Sequence, residues 1–184
     1  AVVLQVGSST ITKGTAVEVL NSNMEVSIPS YAIYDSTNQK VMFLWRQDSP
    51  NRMYYSIGTV TGGGTNSISC TTPVDFGGGS SVEGIGMLYD TGKSQILFPH
   101  QTGSHPNRIV TVNAYTSDGS TLTLASSTAS SGTFPAMGKA CASAYGTDKG
   151  SLFYFAIDGE SKNGQVTSYF GSTTSTVVNG SQFV

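Results

Sequence analysis

The chain has 184 residues, 11% of them charged, and a net charge of −2 with only three arginines: Arg46, Arg52 and Arg108. Binding nucleic acid needs a basic stripe to neutralise phosphates, and this composition offers none, so nucleic acid is not an expected partner. No run approaches the roughly 18 consecutive apolar residues of a membrane helix, so membrane insertion is not expected either.

The low charge comes with 22 glycines and many Ser, Thr, Val and Tyr residues, which favours short strands and tight turns over helices. In chain order, Val2–Val6 and Thr10–Leu20 read as strands around the turn Gly7-Ser8-Ser9. Ser30–Tyr34 alternates and ends in Asp35-Ser36-Thr37-Asn38-Gln39, a turn with Asx chemistry. Val41–Arg46 is an apolar run suited to a buried strand, followed by a polar loop with Pro50. Met53–Val60 alternates as a strand. A glycine-rich connection at 61–66 leads to Ser67–Phe76, predicted as one further strand.

The same order then recurs: Gly84–Tyr89, Gln95–Pro99, Ile109–Tyr115, a turn at Ser117-Asp118-Gly119-Ser120, and Thr121–Thr128. It recurs again as Lys139–Tyr145, Ser151–Ile157, Gln165–Phe170 and Thr174–Val184. Ile33-Tyr34-Asp35 aligns with Leu88-Tyr89-Asp90 and with Ala144-Tyr145-Gly146, and Pro50-Asn51-Arg52 aligns with Pro106-Asn107-Arg108. The period is about 55 residues.

The predicted fold is therefore all-β, built of four-stranded antiparallel units and β-propeller-like, with a β-solenoid or fibre array as the alternative. The predicted units are 1–27 (a half unit), 28–81, 82–132 and 133–184. Thr15-Ala16-Val17-Glu18-Val19 falls over Thr72-Pro73-Val74-Asp75-Phe76, which makes the N-terminal segment match only the second half of a unit. Three and a half units leave strand edges unpaired, so a longer chain or completion by neighbouring copies is expected ahead of a self-contained monomer.

The stretch Ile57-Gly58-Thr59-Val60-Thr61-Gly62, Ser67-Ile68-Ser69-Cys70-Thr71-Thr72-Pro73-Val74-Asp75-Phe76, and then Met87-Leu88-Tyr89-Asp90, resembles a repeat of large structural and fibre-like proteins of marine bacteriophages. The resemblance implies a propeller-like blade and a role on the virion surface or in adhesion. It supplies no catalytic motif. The expected function is thus a non-enzymatic structural or adhesion component of a bacteriophage virion, of tail-fibre or surface type, at the virion surface or extracellular. The expected partners are other copies of the chain, other virion proteins and cell-surface glycans.

The alternative function is a carbohydrate-binding lectin module. If the units are blades, the loops between second and third strands share one face, and Asp48, Asn51, Arg52, His105, Asn107, Arg108 and Asn163 become the candidate glycan contacts. A planar guanidinium or amide matches paired sugar hydroxyls. Against this, Pro-Asn is also ordinary turn chemistry. Trp45, the sole tryptophan, shares a face with Phe43, so packing between units is expected in preference to a sugar platform.

His100 and His105 lack a third positioned ligand, so no metal or other cofactor is expected. Cys70 and Cys141 occupy different points of the unit and read as buried free thiols rather than a disulfide. A sialidase-like glycosidase would need clustered arginines and an acid pair. The Ser117–Thr121 turn is only vaguely like the turn motif of such enzymes, and no nucleophile elbow, zinc helix or phosphate loop occurs. No enzymatic activity is expected.

Overall fold

The computed structural model describes residues 1–19, 30–47, 52–61, 67–77, 86–102 and 109–129, together with the backbone of 137–146, 151–158, 164–170 and 178–179. Within them the chain is all-β, every strand pair is antiparallel, and there is no helix. A short hairpin pairs β1 (Leu4–Val6) with β2 (Ile11–Lys13).

The first large sheet runs β3 (Tyr31–Asp35), β4 (Lys40–Gln47), β5 (Arg52–Thr61) and β6 (Ser67–Cys70), with β7 (Val74–Gly77) also on β5. The second runs β8 (Leu88–Asp90), β9 (Gln95–Thr102), β10 (Ile109–Ser117) and β11 (Leu122–Ala129). The third runs β12 (Met137–Gly146), β13 (Ser151–Asp158), β14 (Gly164–Phe170) and β15 (Val178–Asn179). Each is a meander in chain order, and none closes on itself among the described residues.

The turns after β3 and β8 are built alike. The Asp35 carboxylate accepts the backbone N–H groups of Thr37 and Asn38, both at 3.1 Å. Asp90 does the same for Gly92 at 2.9 Å and Lys93 at 3.2 Å. Each turn closes on a non-glycine residue in the left-handed region, Gln39 at φ 55° and Ser94 at φ 51°. Both aspartates are buried, so the turn N–H groups replace the water that their carboxylates lose.

The core lies between the first two sheets. Met42 and Leu44 of β4, with Met53, Tyr55 and Ile57 of β5, meet Ile96 and Phe98 of β9 and Tyr115 of β10. Met42 lies opposite Ile57 and Leu44 opposite Tyr55, so these residues share one face of the first sheet. The pairs Asp35–Lys40 and Asp90–Gln95 put the two sheets in common register, in which Ile96 and Phe98 correspond to Val41 and Phe43. The first sheet thus covers its neighbour with one face, and the second answers with the opposite face. The face of the second sheet carrying Leu97, Val112 and Ala114 forms a separate apolar cluster with Leu88.

The predicted strand Ser67–Phe76 is in fact two strands, and the break has a purpose. β6 pairs with β5 as Gly58–Cys70 and Val60–Ile68, whereas β7 pairs as Tyr55–Val74 and Tyr54–Asp75, a shift of one residue. A one-residue slip turns every side chain to the other face. Ile68 consequently packs on the Phe43 side of the sheet, while Phe76 turns into the core. There its ring lies 5.6 Å from Tyr55, 5.2 Å from Phe98 and 4.6 Å from Tyr115.

Thr71 holds the break. Its N–H donates to the Ile57 carbonyl at 3.0 Å, its Oγ1 accepts from the Ile57 N–H at 3.0 Å, and its carbonyl accepts from Ser56 Oγ at 2.8 Å. Pro73 follows, where the ladder is already interrupted and no N–H is needed.

The N-terminal segment repeats this pattern. Beyond the β1–β2 ladder, Gly14 N–H donates to the Val3 carbonyl at 2.9 Å, as Thr71 does to Ile57. Then Val17 N–H donates to the Ala1 carbonyl at 2.8 Å, and the Ala1 amine donates back to the Val17 carbonyl at 2.6 Å. The step from Val3–Gly14 to Ala1–Val17 is the same one-residue register shift. Val17 stands to Ala1 as Val74 stands to Tyr55.

Candidate functional site

The loops singled out from the sequence join β4 to β5, β9 to β10 and β13 to β14. Asp48, Asn51, His105, Asn107, Arg108 and Asn163 lie outside the described residues. Arg52, the first residue of β5, is described. Its guanidinium forms an ion pair and hydrogen bond with the Asp75 carboxylate of β7, both side chains being well exposed to solvent. That hydrogen bond, with the attraction of the Asp75 charge, raises the Arg52 pKa further above its ordinary value. Arg52 is therefore oriented along the sheet by Asp75, and a ligand would have to compete with that carboxylate for it.

Behind this loop the sheet is aromatic and closed. Trp45 lies opposite Tyr54, their rings stacked 6.3 Å apart with planes 17° from parallel. Trp45 is only 3% exposed, which rules out its ring as an open sugar platform. Its Nε1 has no hydrogen-bond partner among the described residues. Arg46, on the core face beside Met53, is 5% exposed. This buried guanidinium at a sheet end has no sequence signal of its own, because it closes the apolar run Val41–Arg46.

In the second sheet the register position of Trp45 is taken by His100, and that of Arg46 by Gln101. His100 stacks on Phe98 at 4.6 Å with planes 13° apart, and its Nδ1 lies 3.2 Å from the Phe98 carbonyl oxygen. Burial pushes its pKa down to about 4, so the ring is neutral at physiological pH. Gln101 is fully buried on the opposite face. Among the described residues no three His, Cys, Asp or Glu side chains come together as metal ligands. Cys70 is a half-buried free thiol whose pKa burial raises, which makes it a poor nucleophile. The Cys141 side chain lies outside the described residues.

The opposite rim carries a polar network that joins the two sheets. Asn38 Nδ2 donates to Asp35 Oδ2 at 2.8 Å and to the Ser117 carbonyl at 3.0 Å. The Tyr89 hydroxyl donates to Thr37 Oγ1 at 2.6 Å, and Thr37 Oγ1 donates to Ser94 Oγ at 2.9 Å. For Asp35, burial acts to raise the pKa, but the bonds from Asn38, Tyr89 and Thr37 outweigh it and leave the value lowered.

Asp118 accepts from Ser120 N at 2.8 Å and Thr121 N at 2.7 Å, and from both hydroxyls. The backbone bonds from Ser120 and Thr121 are the main cause of its strongly lowered pKa. The Ser117–Thr121 segment is thus a self-satisfied Asx turn. These side chains hold one another and present no converging acid pair to a substrate.

No family model, no curated protein and no solved structure matches the chain.

The signal that could have located the rim network was present in the sequence. Asp35-Ser36-Thr37-Asn38 and Asp90-Thr91-Gly92-Lys93 share spacing, and Asp with a hydrogen-bonding neighbour three residues on is an Asx-turn pattern. What the spacing does not reveal is that Asn38 reaches past its own turn to the neighbouring sheet.

Proposed function

We propose that the chain is a non-enzymatic structural or adhesion component of a bacteriophage virion, built of propeller-like β units and assembling through sheet faces and strand edges. One observation carries this reading. The first two sheets pack head to tail, with Met42, Leu44 and Ile57 on one and Ile96, Phe98 and Tyr115, at register positions of the other face, on the next. Packing of that kind does not use itself up: each sheet covers a neighbour and keeps a second apolar face for another.

Two further observations support a radial arrangement. Cα atoms come within 8 Å between β3 and β8 and between β8 and β12, so the first strands of successive sheets lie side by side. The outward face of the first sheet retains half-buried Val41 and Phe43 and exposed Tyr34, the surface that a preceding sheet would cover. The resemblance of the first unit to phage fibre repeats supplies the biological setting, and the expected partners are other copies or other virion proteins. A lectin remains the competing reading, with cell-surface glycans as ligands. The closed Trp45 ring and the Asp75-bound Arg52 speak for the scaffold.

Light scattering coupled to size exclusion tests this directly. A discrete oligomer or filament is expected. A monodisperse monomer that binds glycans, and loses them when Asn51, Asn107 and Asn163 are replaced, would replace the scaffold with the lectin.

A further inference from the structure

The outer edges of the first two sheets are built differently. That of the first sheet is split into β6 and β7, with Pro73 between them and the exposed Arg52–Asp75 ion pair beside them. Such features keep other strands away. β11, the outer strand of the second sheet, has none of them. It is eight residues long, Leu122–Ala129, without charge, proline or glycine. Among the described residues no strand lies along its outer side. Thr123–Ser127 is exposed throughout, Leu124 at 53%.

The backbone groups on that open side follow from the register. Along an antiparallel strand they point alternately to the two neighbours. The Pro99 carbonyl points to Gly86 on the β8 side, so Ile96 and Phe98 point to β10. Their partners Tyr115 and Asn113 point back to β9, which turns Thr116, Ala114 and Val112 towards β11. Thr123, Ser126 and Thr128 answer these three, and the groups of Leu122, Leu124, Ser127 and Ala129 face outwards. Accordingly the Leu122 N–H is directed away from β10, to the Tyr55 hydroxyl at 3.3 Å.

Ala125 is the extra residue of a bulge, because Tyr115 pairs with Leu124 and Ala114 with Ser126. The bulge resets the alternation, so Leu122, Leu124, Ser127 and Ala129 all share the Tyr115 face. Without it Ser127 and Ala129 would lie on the other face. Read outwards from the point between Ala125 and Ser126, the two halves of the strand match in face and in backbone direction. One half carries the large Leu122 and Leu124, and the other carries the small Ser127 and Ala129 at the mirrored positions.

We propose that β11 pairs antiparallel with β11 of a second copy, about a two-fold axis at Ala125–Ser126. Leu124 then lies opposite the partner's Ser127 and Leu122 opposite the partner's Ala129, large against small, with Thr123 opposite the partner's Thr128 on the other face. Leu124 exchanges main-chain bonds with the partner's Ser127, and the Leu122 carbonyl accepts from the partner's Ala129 N–H. No charge is desolvated, and the contact closes on itself, unlike the head-to-tail contact of the sheet faces. In taking a second copy as partner, the pairing rests on the assembly reading above, and it names the edge and the symmetry.

The test is amide hydrogen exchange on the full chain over a range of protein concentrations, with the particle mass measured alongside. The Leu124, Ser127 and Ala129 amides should gain protection as concentration rises, while those of Thr123, Ser126 and Thr128 are protected throughout by β10. Ser127→Lys or Leu124→Asp should each raise the concentration of half-protection about tenfold or more. Carrying both changes, the chain sets opposite charges across each symmetry-related pair and should recover most of that loss.

Protection at the outward amides that ignores concentration overturns the pairing, because the edge is then covered within one chain. Absence of protection at any concentration overturns it too, as does a midpoint that neither single change moves or that the double change fails to restore. The face contact is judged separately. A large particle that persists in Ser127→Lys, without outward protection in the native chain, leaves the face contact standing and the edge pairing refuted. A Ser127→Lys monomer, with outward protection in the native chain, does the reverse.

Discussion

Asn38 and Ser117 join two sheets through a single hydrogen bond: the Asn38 side-chain amide, held by Asp35, donates to the Ser117 carbonyl at 3.0 Å. The donor comes from the turn after β3 and the acceptor from the end of β10. A partly buried carbonyl and a buried carboxylate thus share one amide group. Leaving either unpaired costs more than the bond itself contributes.

Replacing Asn38 with Ala should destabilise the fold by about 1–3 kcal/mol, read as a lowered urea midpoint at unchanged slope. The folded pKa of Asp35 is depressed below 3.8, so its contribution is present above that value and lost as pH falls through the folded value. The acid limb of the stability profile, below pH 3.8, should therefore be shallower in Asn38→Ala than in the native chain. An unchanged acid limb would show that the Asn38 bond is not what lowers Asp35.

Gly58→Ala should cost about 1–3 kcal/mol by overpacking, because the added Cβ meets Ile68 Cδ1 at 2.7 Å. Ile68→Val removes that δ carbon. Combining the two should restore part of the loss, giving a coupling of roughly 0.5–2 kcal/mol in a double-mutant cycle. Strict additivity would sink the contact as the cause.

His100 is held neutral, its pKa lowered from 6.5 to about 4 by burial. A protonatable base whose folded pKa lies below its unfolded value binds protons preferentially when unfolded. Its contribution is complete above pH 6.5 and is lost as pH falls towards about 4. Urea stability should fall across that window in the native chain and fall less in His100→Phe, which keeps the stack on Phe98. A ring resonance assigned to His100, by its loss in His100→Phe, that titrates near 6.5 would disprove this.

Arg52→Ala should leave the urea midpoint nearly unchanged, since both partners of the Arg52–Asp75 pair are well exposed and the pair is screened by solvent. This makes it a clean probe of function. Under the scaffold reading the mass of the assembly should also be unchanged. A large fall in glycan binding at unaltered stability would favour the lectin.

Much of the strand order could be read from periodicity, because alternation and Asx turns are local signals. Val41–Arg46 and Met53–Val60 emerge as β4 and β5 with one residue added at each end. Three features were not legible, each for a physical reason. The division of Ser67–Phe76 depends on Thr71 bonding to Ile57 and Ser56 across the sheet, and the alternation on either side of it looks like one strand. Gln39 and Ser94 adopt positive φ without the glycine that usually marks it.

The third feature is β9, which runs on through Pro99 to Thr102. Pro99 directs its carbonyl to Gly86 N–H at 2.8 Å, so its missing N–H falls on the side where β8 has already ended. As for the candidate site, the sequence pointed to exposed loop amides and arginines. The described part of that region instead holds buried groups, Trp45, Arg46, His100 and Gln101, whose burial is set by packing on the sheet faces and not by the local pattern of the loops.

The head-to-tail contact of the first two sheets gives any growing row of such units a direction. Its two ends are chemically different, one offering the Leu97–Val112–Ala114 face type and the other the Val41–Phe43 type. A subunit spoiled on one face alone would still join at the other and stop growth there. Under the scaffold reading, a Phe43→Lys chain mixed with native protein would act as a terminator at a single end, shortening the average particle without dissolving it.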